Sequence, residues 1–325
     1  MVAVLVIPDG AAEPVRRGAP TALERARTPA LDALCAAGTL RRVATTPPGR
    51  TPGSETGIPV LLGARRSVAI PRGRLEAAAA GLAIPPGARA WRVDFHERDG
   101  RRASAGAARA ARDRLARVLG DHDLHHLRGH RCLAIGAGSP PVPARVEGLA
   151  AHVWGANGRG APSPHLDPRT VMISGPGAAA GCARLLGAEA VQPAGATGGP
   201  DTDLAAKRGA ALGAIAGGAR RVVVHIAAPD EAAHEHDADG KVAALEALDT
   251  ELVGPLWEVV SARAGRLAVC PDHGTDPATG VHDGAPVPAV CAGDGVAADA
   301  PRGTRMTERA AARRPVSDDV WEGAA

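Results

Sequence analysis

Two stretches, Arg221-Val-Val-Val-His225-Ile-Ala-Ala-Pro229-Asp230 and Arg266-Leu-Ala-Val-Cys270-Pro271-Asp272-His273, decide the reading of this chain. Each is a short β-rich apolar run closed by proline, the pattern of a buried strand. Each stops at a carboxylate with a histidine close by: His234 follows Asp230 by four residues, and His273 adjoins Asp272, with His282 nine residues on. A third run, Val2 to Ile7, ends the same way at Pro8-Asp9-Gly10. In open α/β sheets ligands gather beyond the carboxyl ends of the strands. If the three runs share one sheet, Asp9, Asp230 and Asp272 meet at a single edge.

Outward from these runs, strand and helix patterns alternate. Strands are expected at 170–174, 221–227 and 266–270, and helices at 178–187, 201–216 and 239–260. Such alternation predicts a mostly parallel sheet with helices on its faces. Near the start, Thr28-Pro29 opens a helix within 21–37, with Thr28 as the expected cap and Pro29 in the first turn. Between about 68 and 168 the character changes to Ala/Arg helical sequence (102–119), a histidine cluster and Gly/Pro-rich segments. The simplest organisation is a discontinuous core, 1–67 and 169–325, interrupted by an inserted module at 68–168.

Composition narrows the function classes. The 325 residues include one Phe, no Tyr and four Trp, and the net charge is +3. With few rings to stack on bases and no massed basic segment, nucleic acid is not the expected partner. No apolar stretch nears the roughly 20 residues of a membrane span, and the first strand lacks the leader of a signal peptide. A soluble cytoplasmic protein is therefore expected, with no membrane partner. The five cysteines, Cys35, Cys132, Cys182, Cys270 and Cys291, are widely spaced and read as buried free thiols.

Three carboxylates and three imidazoles (Asp9, Asp230, Asp272, His234, His273, His282) make the mixed O/N donor set of Zn, Mn or Fe, enough for two ions. Asp230 and His234, four apart, share a face if 230–234 is helical. His225, inside a strand, reads as a satisfied core residue, and His122, His125, His126 and His130 read as surface. The nucleophile candidate is Ser54, in Pro47-Pro48-Gly49-Arg50-Thr51-Pro52-Gly53-Ser54-Glu55-Thr56. Glycine before serine admits a bulky oxyanion, and a following helix offers free N–H groups to phosphate. Pro59 places the expected helix start near Thr56.

Together with Thr28-Pro-Ala-Leu-Asp32, Arg72-Gly-Arg74-Leu-Glu76, Trp91-Arg92-Val-Asp94, Trp154-Gly-Ala-Asn-Gly158, Gly195-Ala-Thr-Gly198 and Asp201-Thr-Asp-Leu-Ala-Ala-Lys207, these motifs resemble the cofactor-independent phosphoglycerate mutases of the archaeal type, members of the alkaline phosphatase superfamily. The resemblance runs over nearly the whole chain. It implies an alkaline phosphatase-like α/β core with a smaller inserted α+β cap, and a small phosphorylated metabolite as substrate. By this resemblance Asp9, Ser54, Asp272 and His273 hold one divalent ion (manganese, zinc or magnesium, most simply manganese), while Asp230, His234 and His282 hold the other. Lys207 falls where the family places a phosphate-contacting lysine, and Arg74 and Arg92 become substrate-binding residues of the cap. The implied chemistry is an isomerase reaction of glycolysis, 3-phosphoglycerate to 2-phosphoglycerate through a phosphoserine. Departures stand at Gly57-Ile58, where Ala-His is expected, and at Gly63-Ala64-Arg65-Arg66, where Gly-Tyr-Asp-Pro is expected. They fall in substrate-handling parts and keep open a phosphohydrolase, or a mutase of another phospho- or phosphono-metabolite. A catalytically silent binding module is the remaining alternative; its mark, loss of Ser54 or a ligand, is absent.

Overall fold

The computed structural model describes residues 1–64, 70–155, 165–301 and 303–321. The chain divides into two compact units, Met1–Val68 with Ser163–Ala325, and Ala69–Pro162. Arg65, Arg66 and the Ala156-Asn157-Gly158 part of the Trp154 motif lie outside the described residues.

The first unit is built on an eight-stranded sheet. Its strands are β1 (Ala3–Pro8), β2 (Gly38–Val43), β8 (Thr170–Ile173), β9 (Glu189–Val191), β10 (Arg221–Ile226), β11 (Arg266–Val269), β14 (Val287–Gly293) and β15 (Val316–Ser317). They lie in the order β15-β2-β14-β11-β1-β10-β8-β9. Parallel pairing joins β11, β1, β10, β8 and β9, while β14 runs antiparallel to both β11 and β2. The fold is α/β with a mostly parallel sheet and flanking helices. β1 and β10 are buried almost end to end, as expected of parallel strands covered on both faces. On one face Val4, Val6, Val222, Val224 and Val269 pack with Leu248, Leu252, Leu256 and Val260.

Register places the site. Ile7 pairs with His225 and Pro8 with Ile226, while Val6 pairs with Val269. The three neighbouring strands therefore end side by side, and Asp9, the helix Ala228–His234 and Pro271-Asp272-His273 leave from one edge. Beyond β11, the hairpin β12 (Gly274–Asp276) and β13 (Val281–Asp283) pairs Thr275 with His282, which returns that histidine to the same edge.

Three local expectations change. Thr28 occupies the N-cap of the helix Pro29–Ala37, but its side chain makes no cap bond. The orphan N–H groups of Ala30 and Leu31 instead donate to Asp249 at 2.9 and 2.8 Å, a cap supplied from a distant helix. The expected helix 239–260 is one run with a π turn at Asp249–Val253 between Ala238–Leu248 and Gly254–Ser261. Pro255 has no N–H to give the Glu251 carbonyl; Arg208 Nη1 donates to it instead at 2.6 Å. Finally, the helix after Gly53 starts at Ser54, with Pro59 inside it rather than in its first turn. A single proline costs so short a helix one internal bond, and Gly57, Ile58 and Leu61 bury its inner face.

The second unit is a five-stranded antiparallel sheet in the order β4-β5-β3-β7-β6. These strands are β3 (Arg89–His96), β4 (His122–Arg128), β5 (Arg131–Gly136), β6 (Arg145–Val146) and β7 (Leu149–Trp154). Val93 and Phe95 on one face of β3 pack on Ala108, Ala111 and Leu115 of the helix Ala105–Ala116. The alternate residues Arg92, Asp94 and His96 lie on the other face, as period-two alternation requires. His122, His125 and His126 are half-buried on β4, but His130 is buried, contrary to its expected surface position.

Candidate metal centre

Asp9, at the end of β1, is the hub. His225 Nε2 lies 3.2 Å from its Oδ2 and His273 Nε2 lies 3.0 Å from its Oδ1. Ser54 Oγ stands 3.3 Å from both carboxylate oxygens. Ser54 heads the helix Ser54–Leu61 directly after Gly53, whose φ of 152° is a conformation glycine tolerates. Asp230 and His234, on one face of their helix as expected, approach to 3.2 Å. His282 Nε2 is 3.0 Å from His234 Nε2 and 3.7 Å from Asp230 Oδ1.

These side chains supply two sets of donors, each mutually within 4.8 Å: Asp230, His273 and His282, and Asp9, His225 and Asp272. The structure therefore brings together Asp9, Ser54, Asp230, His234, Asp272, His273 and His282. It also draws His273 toward Asp230 and His282 as well as toward Asp9. His225 was missed. The strand alternation that sends Val222, Val224 and Ile226 to one face sends His225 to the other, one residue before the strand ends. A polar residue at that point of a fully buried parallel strand was the available signal.

A cation suits the cluster. His225 Nε2, His273 Nε2 and Asp272 Oδ2 are buried with no aligned hydrogen-bond partner, although buried polar atoms are nearly always satisfied. The charges point the same way. Burial alone would raise the Asp9 carboxyl, but His225 and His273 hold it well below the usual carboxylate range. Asp272 is pushed well above that range by burial and by the charge of Asp9. Burial would lower His273, yet Asp272 and Asp9 raise it well above an ordinary imidazole. Closely packed carboxylates and imidazoles with such opposed shifts suit a divalent ion, whose binding displaces protons from its ligands. Oxygen and imidazole donors fit Zn, Mn or Fe.

The remaining predicted residues lie elsewhere. Lys207 is fully buried, and its ammonium donates to the His225 carbonyl at 3.1 Å. In the second unit Arg92 is buried: its Nε donates to Asp94 at 2.7 Å, Nη1 lies 3.4 Å from Glu76, and the guanidinium sits 4.5 Å from the Trp154 ring. Burial and neighbouring Arg72 lower its pKa to about 10. Arg74 is half-buried, with Nε lacking a hydrogen-bond partner.

A mostly parallel α/β sheet whose strand ends present two oxygen/imidazole donor sets beside a serine defines a candidate metal-dependent enzyme. A family model described as the Metalloenzyme superfamily matches residues 1–313. The chain belongs to that superfamily. It is 43% identical over 113 residues to 2,3-bisphosphoglycerate-independent phosphoglycerate mutase 2 of Methanothermobacter thermautotrophicus, a match covering 35% of this chain and 28% of the relative's length. A broader match, 27% identical over 367 residues, covers 88% of this chain and 86% of 2,3-bisphosphoglycerate-independent phosphoglycerate mutase of Methanopyrus kandleri. In fold the chain is similar to the PH0037 protein from Pyrococcus horikoshii, with a TM-score of 0.80 and 23% identity over 95% of this chain and 91% of that one. No helix among the described residues is long and apolar enough to cross a membrane.

Proposed function

We propose that this chain is a phosphoglycerate mutase-like isomerase that moves a phosphoryl group between hydroxyls of a small phosphorylated hydroxy acid, converting 3-phosphoglycerate to 2-phosphoglycerate. The observation that carries the reading is Ser54 Oγ at 3.3 Å from both oxygens of Asp9, beside the orphaned donor atoms of His225, His273 and Asp272. The names of the relatives from Methanothermobacter and Methanopyrus support it.

Two divalent ions, most simply manganese, would be held by Asp9, Ser54, His225 and Asp272 and by Asp230, His234, His273 and His282; when bound they would make the serine hydroxyl more acidic and offset phosphoryl charge. Ser54 Oγ gives up its proton and attacks phosphorus; the new serine O–P bond forms as the substrate's O–P bond breaks, and the released alkoxide takes up a proton to become the free hydroxyl. The second hydroxyl of the retained glycerate then attacks the phosphoserine, returning Ser54 to its free form. The N-terminal N–H groups of the helix Ser54–Leu61 favour the anionic phosphoryl. Lys207 adds positive charge at the His225 carbonyl, to which its ammonium donates. The second unit binds substrate in this reading, through Arg74 and Arg92. Arg92 is already committed to Asp94 and Glu76, so Arg74 is the stronger of the two.

A second reading, a phosphohydrolase or a mutase of another phospho- or phosphono-metabolite in specialised metabolism, is favoured by the departures at Gly57-Ile58 and Gly63-Ala64. Manganese and 3-phosphoglycerate distinguish them. The mutase yields 2-phosphoglycerate with little free phosphate; release of phosphate without the isomer rejects it.

A further inference from the structure

Behind the donor cluster lies a buried lysine with no part in the reaction above. Lys241, in the helix Ala238–Leu248, is one of two lysines in the chain and has no exposed surface. Its ammonium donates to the carbonyls of Ala12 at 3.2 Å and Thr275 at 2.7 Å, and lies 3.2 Å from Glu13 Oε2. A buried ammonium is costly unless paired and hydrogen-bonded. Here one cation joins the loop after β1 to the strand β12.

Thr275 continues the chain of contacts toward the ligands. Its N–H donates to the carbonyls of Gly10 at 3.2 Å and Ala12 at 2.8 Å. Its hydroxyl donates to Asp230 Oδ1 at 2.5 Å and stands 3.3 Å from His273 Nδ1. There is no slack around this contact: a Cβ on Gly10 would stand 2.4 Å from Asp230 Oδ1 and 2.6 Å from Thr275 Oγ1.

We propose that Thr275, anchored by Lys241, is a positioning residue for the metal centre: it fixes the Asp230 carboxylate and the His273 ring toward the ion that Asp230, His273 and His282 share. This rests on the metal-dependent reading above. Removing a partner that orients a ligand typically weakens metal affinity by roughly 10–100-fold, and the loss belongs to the site whose ligand is freed.

The test is calorimetric titration of manganese into the purified full chain, with thermal unfolding followed in parallel. Thr275→Val keeps the branched shape and removes the hydroxyl, and Thr275→Ser restores it. Expected are weakening of one site by roughly 10–100-fold in Thr275→Val, little change at the other site, and near-recovery in Thr275→Ser. Lys241→Met weakens the same site, and Lys241→Gln, which keeps an N–H donor, weakens it less. Wild-type affinity at both sites in Thr275→Val overturns the proposal, as does equal weakening at both or failure of Thr275→Ser to recover. A wild-type chain that binds no manganese overturns the metal-dependent reading itself, a separate outcome.

Discussion

Gly57→Ala is the substitution whose effect follows most directly from the structure. The resemblance to phosphoglycerate mutases leads one to expect alanine here, yet the backbone of Gly57 lies against that of Asp272. An added Cβ would stand 2.0 Å from the Asp272 carbonyl oxygen, 2.7 Å from its carbonyl carbon and 2.9 Å from its Cβ, where ordinary contact begins at 3.4 Å. The neighbour is backbone, so no side-chain rotation relieves the overlap. The helix Ser54–Leu61 or the Asp272 segment must move by about 1 to 1.4 Å to bring this contact from 2.0 Å to between 3.0 and 3.4 Å. Overpacking of this kind costs about 1–3 kcal/mol, which for a unit of this size lowers Tm by roughly 2–12 °C. The same movement separates Ser54 from Asp9 and Asp272, and a 1 Å misplacement can cost about 100-fold in rate. Scanning calorimetry and manganese-dependent turnover of 3-phosphoglycerate measure both. Wild-type Tm and turnover in Gly57→Ala would refute the close packing and the dependence of transfer on it.

Other expectations concern the same cluster and the thiols. His225→Ala should remove or strongly weaken one manganese site in a titration, whereas a purely structural core histidine would lower Tm and leave the stoichiometry of the folded protein unchanged. Manganese affinity should rise with pH: without metal, and despite burial, Asp272 and Asp9 hold His273 well above an ordinary imidazole, so the ion must displace a proton from it. Each displaced proton contributes about tenfold per pH unit until pH exceeds that group's metal-free pKa; flat affinity between pH 6 and 8, with no proton release into the buffer, would contradict this. Burial pushes Cys35 and Cys132 up to about 12 and Cys291 to about 11, and raises Cys182 and Cys270 as well. All five should resist a thiol reagent in the native protein and react together on unfolding; prompt labelling of the native chain would contradict their burial.

The central strands were legible because proline closes each apolar run immediately before a carboxylate, and that punctuation also fixes which edge the carboxylates share. Ser54 stood out through the resemblance of its whole segment, since a glycine before a serine in a proline-rich loop is by itself a weak signal. His225 was marked only by its polarity one residue before the end of a buried strand, a signal that does not separate a satisfied core histidine from one aimed at the strand ends. The cap of the helix Pro29–Ala37 was beyond local reading, because Asp249 lies 219 residues from Ala30. Pro59 misled for the opposite reason, since packing of Gly57, Ile58 and Leu61 outweighs one missing helical bond. Arg92 looked available for substrate in sequence, but Glu76 reaches it from the helix Arg72–Ala79 and Trp154 from β7, contacts set by tertiary structure.

The proposed role of Ser54 as carrier of the phosphoryl group is open to direct test. The direct measurement is peptide mass analysis after rapid quenching of the manganese-loaded chain with 3-phosphoglycerate. A phosphoryl adduct is expected on Ser54 within the turnover time, absent in Ser54→Ala, which still binds metal. Turnover with the adduct on another residue, or undiminished turnover in Ser54→Ala, would contradict this role.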